Sequence, residues 1–346
     1  MPKYSFIVPV YNCGSWLIPC VESLLAQTVR DFEILLVNDG TPDDGGAVSD
    51  MLAAKYECVR TFHKENGGAA SARNYGIDRA EGEYLLFIDG DDTIEPDTLE
   101  RVGAAAGGRE LVIYGISFDY YGKGTDPERV ELLSVKHLGP HAKEFYTENF
   151  RALFEDNALS SACNKVFSAR ILRENGLRFR EDMTLYEDLE FVLRYFAHVR
   201  QFCCIGGGLY HYRIDTANFA HKRAQELGRM QANLNMLAGT MLDQVPLPGD
   251  AASVTARLYM QLLLRHLLVT AYRKETLAPV WDYGRDSGLR RALETGVSLT
   301  GQEAVLMDMV ASRDGKRLLS WLRKKRAGIA LRRTAKQALR ILGLRR

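Results

Sequence analysis

No G-x-G-x-x-G follows the first apolar segment of this chain and no Walker A sequence occurs in it, which removes the usual dinucleotide-binding enzymes and the P-loop NTPases. No apolar run approaches the roughly 20 residues needed to cross a bilayer. The sequence opens Met-Pro-Lys-Tyr-Ser and passes into a short apolar stretch without the h-region or cleavage site of a signal peptide, so a cytosolic chain is expected. Cys13, Cys20, Cys58, Cys163, Cys203 and Cys204 form no C-x-x-C pair and no Cys/His spacing typical of zinc. They read as free, mostly buried thiols. Acid is missing from one region: between Lys316 and Arg346 there are 12 lysines and arginines and no Asp or Glu. The formal charge of +1 therefore hides an acidic body and a basic tail.

What is present suits one large α/β domain with a helical annex: 346 residues, 46% apolar and 26% charged. Ser5–Val10, Phe32–Val37 and Val59–Phe62 read as strands, the first ended by Pro9, which has no N–H for a ladder. Helices are expected over Ser15–Gln27, after the loop Thr41 to Gly46 through Lys55, and over Ala69–Arg79. A helix over Pro96–Ala106 and a strand over Leu111–Gly115 follow a fourth strand. Repeated βαβ units fold into a mostly parallel sheet flanked by helices. Residues 119–160 carry little pattern beyond a loop at Gly122 to Pro127.

That fourth strand, Tyr84-Leu85-Leu86-Phe87-Ile88, is apolar without interruption and stops on Asp89-Gly90-Asp91-Asp92. Carboxylates so crowded repel one another at a strand's carboxyl end, where open α/β sheets bind ligands. A divalent cation is the simplest counter-charge, since Mg²⁺ and Mn²⁺ take carboxylate oxygens and hold diphosphates at their other positions. Gly90 is expected to let the backbone turn sharply so that Asp89 and Asp91 face one pocket. The plainer alternative is an Asp-rich turn capping the next helix. Convergence favours the site, because Tyr11-Asn12, Asn38-Asp39, Lys64 to Gly68 and Asp89 to Asp92 each follow a strand and meet at one sheet edge.

A second acidic pair lies downstream. Thr184-Leu185-Tyr186-Glu187 has the form of a capping box, which predicts Thr184 as the N-cap of a helix with Leu189, Val192, Leu193 and Phe196 on its apolar face. Glu187 thus has a structural reading beside a chemical one. Asp188 lies in the first turn, where the helix dipole favours the carboxylate, either as charge complementarity or as a base. A metal and diphosphate site paired with a base fits an inverting sugar transfer, in which the base takes the proton of the attacking hydroxyl.

The chain resembles a family 2 glycosyltransferase of the GT-A fold over about residues 3 to 213. The resemblance is carried by Ile7-Val8-Pro9-Val10-Tyr11-Asn12, Ser23 to Thr28, Ile34 to Thr41, Asn66-Gly67-Gly68, Ser71 to Gly76, Gly82 to Asp92, Asn164-Lys165 and Tyr186-Glu187-Asp188. It implies that Pro9, Tyr11 and Asn12 line the nucleotide pocket, with the Tyr11 ring beside the base. It implies that Asp39 accepts from the imide N–H of uracil, which cytosine lacks, and that Asn66 and Arg73 serve the base and the phosphates. Asp89 then meets the ribose or the metal, Asp91 binds the metal, Mn or Mg, and Asp188 is the base with Glu187 beside it. Asn38 and Thr41 depart from the family's more usual Asp-Asp-Gly-Ser run. His211 reads as a third metal ligand or as a structural histidine among tyrosines.

Three regions are expected: the catalytic domain over 1–215, a helical region over 216–315 and a basic amphipathic tail over 316–346. Helices over Arg223–Gln244 and Ala251–Lys274 are predicted, with Leu258, Leu262, Leu263, Leu267 and Leu268 as a face to cover the catalytic domain or a second subunit in a homo-oligomer. Leu318, Leu319, Trp321 and Leu322, then Arg323 to Arg326, then Ile329, Leu331, Leu339, Ile341 and Leu342 suggest a helix lying on anionic lipid; a solvated or RNA-attracting basic face is the alternative. The reading is a metal-dependent transferase moving a sugar from a UDP-sugar to a glycan or lipid-linked glycan acceptor in surface polysaccharide synthesis, cytoplasmic and peripheral on the inner face of the membrane. Its rivals are a nucleotidyltransferase, which would usually carry a glycine-rich basic loop after the first strand, and a non-catalytic nucleotide-binding partner of another transferase.

Overall fold

The computed structural model describes residues 2–122, 126–156, 158–215, 227–244, 248–269, 277–294, 299 and 301–341, with side chains of the last helix as far as residue 328. The chain divides into two compact units, Met1–Lys222 with Asp243–Leu247, and Arg223–Leu242 with Pro248–Arg346. The helical region and the basic tail thus fall in one unit. The expected loop at Gly122 to Pro127 and the expected helix ends at Arg223 and Lys274 include residues outside the described ones.

In the first unit β1 (Tyr4–Val10), β2 (Phe32–Asp39), β3 (Val59–Lys64) and β4 (Tyr84–Phe87) alternate with α1 (Gly14–Leu25), α2 (Gly45–Lys55) and α3 (Gly68–Ile77). Then come β5 (Thr93–Ile94), α4 (Thr98–Ala106), β6 (Leu111–Tyr121), β7 (Arg129–Leu133), β8 (Gly139–Ala142), α5 (Lys143–Glu155), β9 (Lys165–Ser168), α6 (Ala169–Glu174), α7 (Glu187–Phe196) and β10 (Gln201–Asp215). The sheet runs β3-β2-β1-β4-β9-β6-β10-β5, with β7 beside β6 and β8 beside β10. β1 is parallel to β2 and β4, β2 to β3, and β10 to β6. β9 lies antiparallel between β4 and β6. Two reversals restore direction, so the carboxyl ends of β1, β2, β3, β4, β6 and β10 share one edge.

Both faces of β1 are buried. Phe6 and Val8 join Leu17, Val21 and Leu24 of α1 in the main core, while Ile7 faces α3, where a Cβ on Gly76 would come within 2.4 Å of Ile7 Cγ2. Uninterrupted apolar sequence is what such a strand requires. Pro9 does not end β1, which pairs on to Val10 opposite Asn38. Ile7 O accepts from Ile88 N, so Pro9, two residues on, turns its ring nitrogen to the same side, beyond the end of β4, where no ladder bond is lost. All six cysteines are free, and only Cys58 is not buried.

The predicted capping box is not formed. α7 begins at Glu187 with Tyr186 at the N-cap in the left-handed region (φ 64°) and no side-chain cap. Entry through Tyr186 puts the helix start two residues past the position Thr184 would cap, so Glu187 and Asp188 open the helix.

The second unit is helical: α8 (Leu227–Gln244), α9 (Pro248–Val269), α10 (Ala278–Tyr283), α11 (Ser287–Glu294), α12 (Gly301–Ala311) and α13 (Gly315–Ile341). On α9, Leu258, Leu263 and Leu267 are buried, and this helix packs against α11, α12 and α13. Of the other residues of the expected face, Leu262 lies outside the described side chains and Leu268 is half-buried. Leu318 and Leu322 of α13 are buried as well. They pack inward instead of facing lipid. No helix among the described residues is long and apolar enough to cross a membrane.

Candidate active site

The loops after β1 and β2 brace each other. Asn12 N donates to Thr41 Oγ1 at 2.8 Å and Gly14 N to Asp43 Oδ2 at 2.8 Å. Asn12 takes φ 52° in this turn, a conformation asparagine tolerates better than most residues. Asn38 Oδ1 accepts from Thr41 N at 2.9 Å, so the two departures from the family run build the β2 turn together. Tyr11 is left 47% exposed at this edge, its ring open to a stacking partner.

Asp39 is almost wholly buried and already engaged. It accepts from Lys64 Nζ at 2.5 Å, Gly67 N at 3.0 Å and Gly68 N at 2.7 Å. Its carboxylate satisfies the first amides of α3 and favours the dipole there. A carboxylate has about four lone-pair sites, so room remains for one further donor. Asn66 is exposed in the same loop, and Gly40 (φ +64°) lies so close that a Cβ would come within 2.9 Å of Asn66 N.

The acidic tip of β4 separates its three carboxylates. A Cβ on Gly90 would meet Cys13 Sγ at 2.7 Å and Pro9 O at 3.0 Å, so close approach to the β1 loop, not a positive φ, is what demands glycine here. Asp92 turns inward, accepting from Tyr210 Oη at 2.6 Å and Arg213 N at 2.7 Å. Burial, reinforced by Asp89 and Asp91, pushes its carboxyl well above the usual range. Tyr210 Oη also accepts from Asp89 N at 3.1 Å, which ties the tip to β10. Asp89 and Asp91 stay half-buried at the edge.

Arg73, expected at the phosphates, occupies the centre. Its guanidinium is 4% exposed and donates from Nη2 to Asp89 Oδ1 and from Nη1 to Asp188 Oδ1, both at 2.8 Å, with Glu187 Oε1 3.8 Å away. Burial alone would lower its pKa, yet Asp188 and Asp89 hold it firmly charged. Asp188 Oδ2 takes a second bond from Ala162 N at 3.1 Å. Burial and the neighbouring Asp188 push Glu187 up to about 7, with Arg73 opposing.

Asn164 and Lys165 support this centre from behind. Asn164 Nδ2 donates to Tyr114 O at 2.7 Å. Lys165, fully buried, donates to Asn164 Oδ1 at 2.8 Å and to Ser161 O, fixing the turn that aims Ala162 N at Asp188. Burial lowers its ammonium to about 7. His211 has both ring nitrogens engaged, by Asp119 Oδ2 and Glu95 Oε1, each at 2.9 Å. That is a structural histidine. The bridge through Arg73 had no signal in sequence order. The resemblance pointed to Arg73 only as a residue serving the base and the phosphates, and its partners come from two distant segments.

Residues 5–176 match the family described as glycosyl transferase family 2. EpsJ of Bacillus subtilis (strain 168), an uncharacterized glycosyltransferase, is 34% identical over 213 residues, 62% of this chain and 61% of EpsJ. Glycosyltransferase GlyG of Streptococcus pneumoniae serotype 4 is 30% identical over 224 residues, 60% of this chain and 70% of GlyG. The teichoic acid poly(glycerol phosphate) polymerase of Staphylococcus epidermidis is 30% identical over 230 residues, 62% of this chain but 28% of the polymerase. The chain thus spans less than two thirds of EpsJ. Among solved structures, S. aureus TarS 1–349 in complex with UDP-GlcNAc superposes with a TM-score of 0.68 at 17% identity, covering 94% of this chain and 92% of that one. The mannosyltransferase PcManGT of Pyrobaculum calidifontis, in complex with GDP-Man and Mn²⁺, gives 0.52 at 15% identity, covering 94% and 84%.

Proposed function

The chain belongs to glycosyl transferase family 2 and has the GT-A fold, and on that premise we propose that it is an inverting glycosyltransferase using a UDP-sugar as donor. The acceptor is a hydroxyl of a glycan or lipid-linked glycan in teichoic acid or surface polysaccharide assembly, in keeping with the relatives named above. One observation carries the reading: Arg73 bonds Asp89, on the donor side, and Asp188, the base, with one guanidinium. An inverting transfer needs a diphosphate site and a base on opposite sides of one anomeric carbon. Asp188 takes the proton of the acceptor hydroxyl, and Glu187 stands beside it with a raised pKa. Tyr11, Pro9 and Asn12 hold the nucleoside, and the remaining acceptor site of Asp39 takes the imide N–H.

The donor set at β4 fits Mg²⁺ or Mn²⁺. Among the described residues no three His, Cys, Asp or Glu side chains are arranged to hold an ion by themselves, and Asp92 and His211 are committed elsewhere. Asp91 and Asp89 stand half-buried at the edge, Asp89 with one oxygen on Arg73, and two carboxylates completed by phosphate oxygens and water are what these hard cations accept. The ion when bound supplies counter-charge to the departing diphosphate. A cytoplasmic enzyme at the inner membrane face suits a lipid-linked acceptor, and the exposed Arg323 and Lys324 of α13 supply charge toward anionic lipid.

A thermal-shift series with UDP-, CDP- and GDP-sugars, with and without Mn²⁺, tests the donor, since a ligand of the folded state raises its melting point. Stabilisation by UDP compounds with Mn²⁺, lost in Asp91→Ala, is the expected result. Stabilisation by UDP-sugar with no turnover in any acceptor mixture and no hydrolysis would favour the non-catalytic partner.

A further inference from the structure

At the same sheet edge stands a cation that the donor and base roles above leave unused. Arg213, on β10, lies between two rings: its guanidinium carbon is 3.2 Å from the centroid of Trp16 and 3.6 Å from that of Tyr121. The two centroids are 6.3 Å apart, so the guanidinium sits nearly on the line joining them. Trp16 comes from the first turn of α1, just after Tyr11 and Asn12, and Tyr121 is the last residue of β6. The backbone N of Arg213 donates to Asp92 Oδ1 at 2.7 Å, which registers the stack against the acidic tip of β4.

Among the described residues, the two other cations placed at this edge above are already paired. Arg73 is paired with Asp89 and Asp188, and Lys64 with Asp39. Among the described residues no carboxylate is ion-paired with the Arg213 side chain. With both faces covered by aromatic rings, a guanidinium keeps its charge and offers only its edge, where the N–H groups lie in a planar fork. Such a fork matches the oxygens of a phosphoryl group, and the clamp removes much of the rotamer freedom that binding would otherwise cost.

We infer that Arg213, clamped by Trp16 and Tyr121, is a specificity-determining residue that binds a phosphoryl group of a substrate at the Asp89–Asp91 edge. The inference rests on the donor reading only for its location. Two sources carry this chemistry, the diphosphate of the nucleotide and a phosphate on the acceptor.

The full chain with Mn²⁺ is titrated calorimetrically with uridine, with UDP, and with glycerol 3-phosphate in the presence and absence of saturating UDP. Wild type is compared with Arg213→Gln and Arg213→Lys. If the diphosphate is the partner, Arg213→Gln weakens UDP about tenfold or more, the loss expected for a charge-assisted contact, and leaves uridine within about twofold. If the acceptor phosphate is the partner, UDP is unchanged, and glycerol 3-phosphate binding to the UDP-loaded protein is lost in Arg213→Gln. Arg213→Lys keeps the charge without the fork and falls between the two; it carries the comparison should Arg213→Gln not fold. Unchanged binding of every probe in a folded variant would overturn the inference and leave the stack as a brace. Failure of UDP and uridine to bind wild type would instead overturn the donor reading, and glycerol 3-phosphate alone would still decide for or against Arg213.

Discussion

Asp89 and Asp188 share one buried guanidinium, that of Arg73, at 2.8 Å on either side. Two carboxylates and one cation leave a net negative centre, which suits an electropositive visitor at the donor side. Removing the arginine leaves two half-buried anions facing each other. Arg73→Ala is expected to destabilise the first unit by about 3–5 kcal/mol, the usual consequence of breaking a buried ion pair from one side. Urea unfolding measures it. Adding Asp188→Asn should recover part of the loss, and strictly additive effects would show that the two side chains are not coupled.

Asp188 and Glu187 open the same helix and are predicted to behave differently. Asp188→Asn removes the proposed proton acceptor, so kcat with the true acceptor should fall by about 10² or more with the KM for donor little changed. Glu187→Gln should lower kcat less, because a carboxyl pushed up to about 7 already carries its proton over much of the acid range. Equal losses in the two variants would make Glu187 the better candidate for the base, or the pair a unit.

Much of this arrangement was readable from order alone. Apolar runs gave β1, β2 and β4, the short and more polar β3 was read from its place in the βαβ order, and the polar residues directly after the strands located the edge, because in parallel strands the chain must leave at the carboxyl end. What order could not give were contacts that cross the sheet. Asp92 looks like Asp89 and Asp91 in sequence, but Tyr210 from β10 pulls it inward. Thr184 matches a capping box, yet Tyr186 adopts a left-handed conformation and the helix starts later. β9, a four-residue antiparallel strand between β4 and β6, has no periodicity long enough to announce it. Arg73 is legible as a site residue, while its partners are set by where β4 and α7 end in space.

Lys165 predicts a pH dependence. Its ammonium falls from 10.5 in the unfolded chain to about 7 in the fold. Between these values the unfolded state binds more protons, so stability from this group rises with pH from about 7 to 10.5. Below about 7 both states are charged and the burial penalty is fully present. Lys165→Met should therefore flatten the rise of the urea midpoint between pH 7 and 9, a window inside the two pKa values. An unchanged slope would mean the lysine stays charged in the fold. Asn164 Oδ1 and Ser161 O would then lose a charged donor in the variant and the Asp188 loop would loosen.

Asp39 is either a reader of uracil or only a fastening for α3. Its three present donors predict a stability loss of about 1–3 kcal/mol for Asp39→Asn, since the amide NH₂ would face a backbone N–H. If the remaining acceptor site reads the imide, UDP affinity falls several-fold more than CDP affinity. Parallel losses for the two nucleotides would assign Asp39 to the loop alone. Calorimetric titration of both nucleotides distinguishes these outcomes.

The basic face of α13 has to be tested without removing the helix, because Leu318 and Leu322 are buried in the helical unit and truncation at Gly315 would expose their neighbours. Arg323 and Lys324 are exposed instead. Reversing both charges, Arg323→Glu with Lys324→Glu, leaves the packing intact. Each basic residue near an anionic surface contributes about 1 kcal/mol, so the double variant should bind phosphatidylglycerol vesicles at least about tenfold less well in flotation, with wild-type binding lost as salt rises. Equal flotation of the two proteins at low salt would remove the membrane surface from the proposed setting and leave α13 as a structural helix with a solvated basic face.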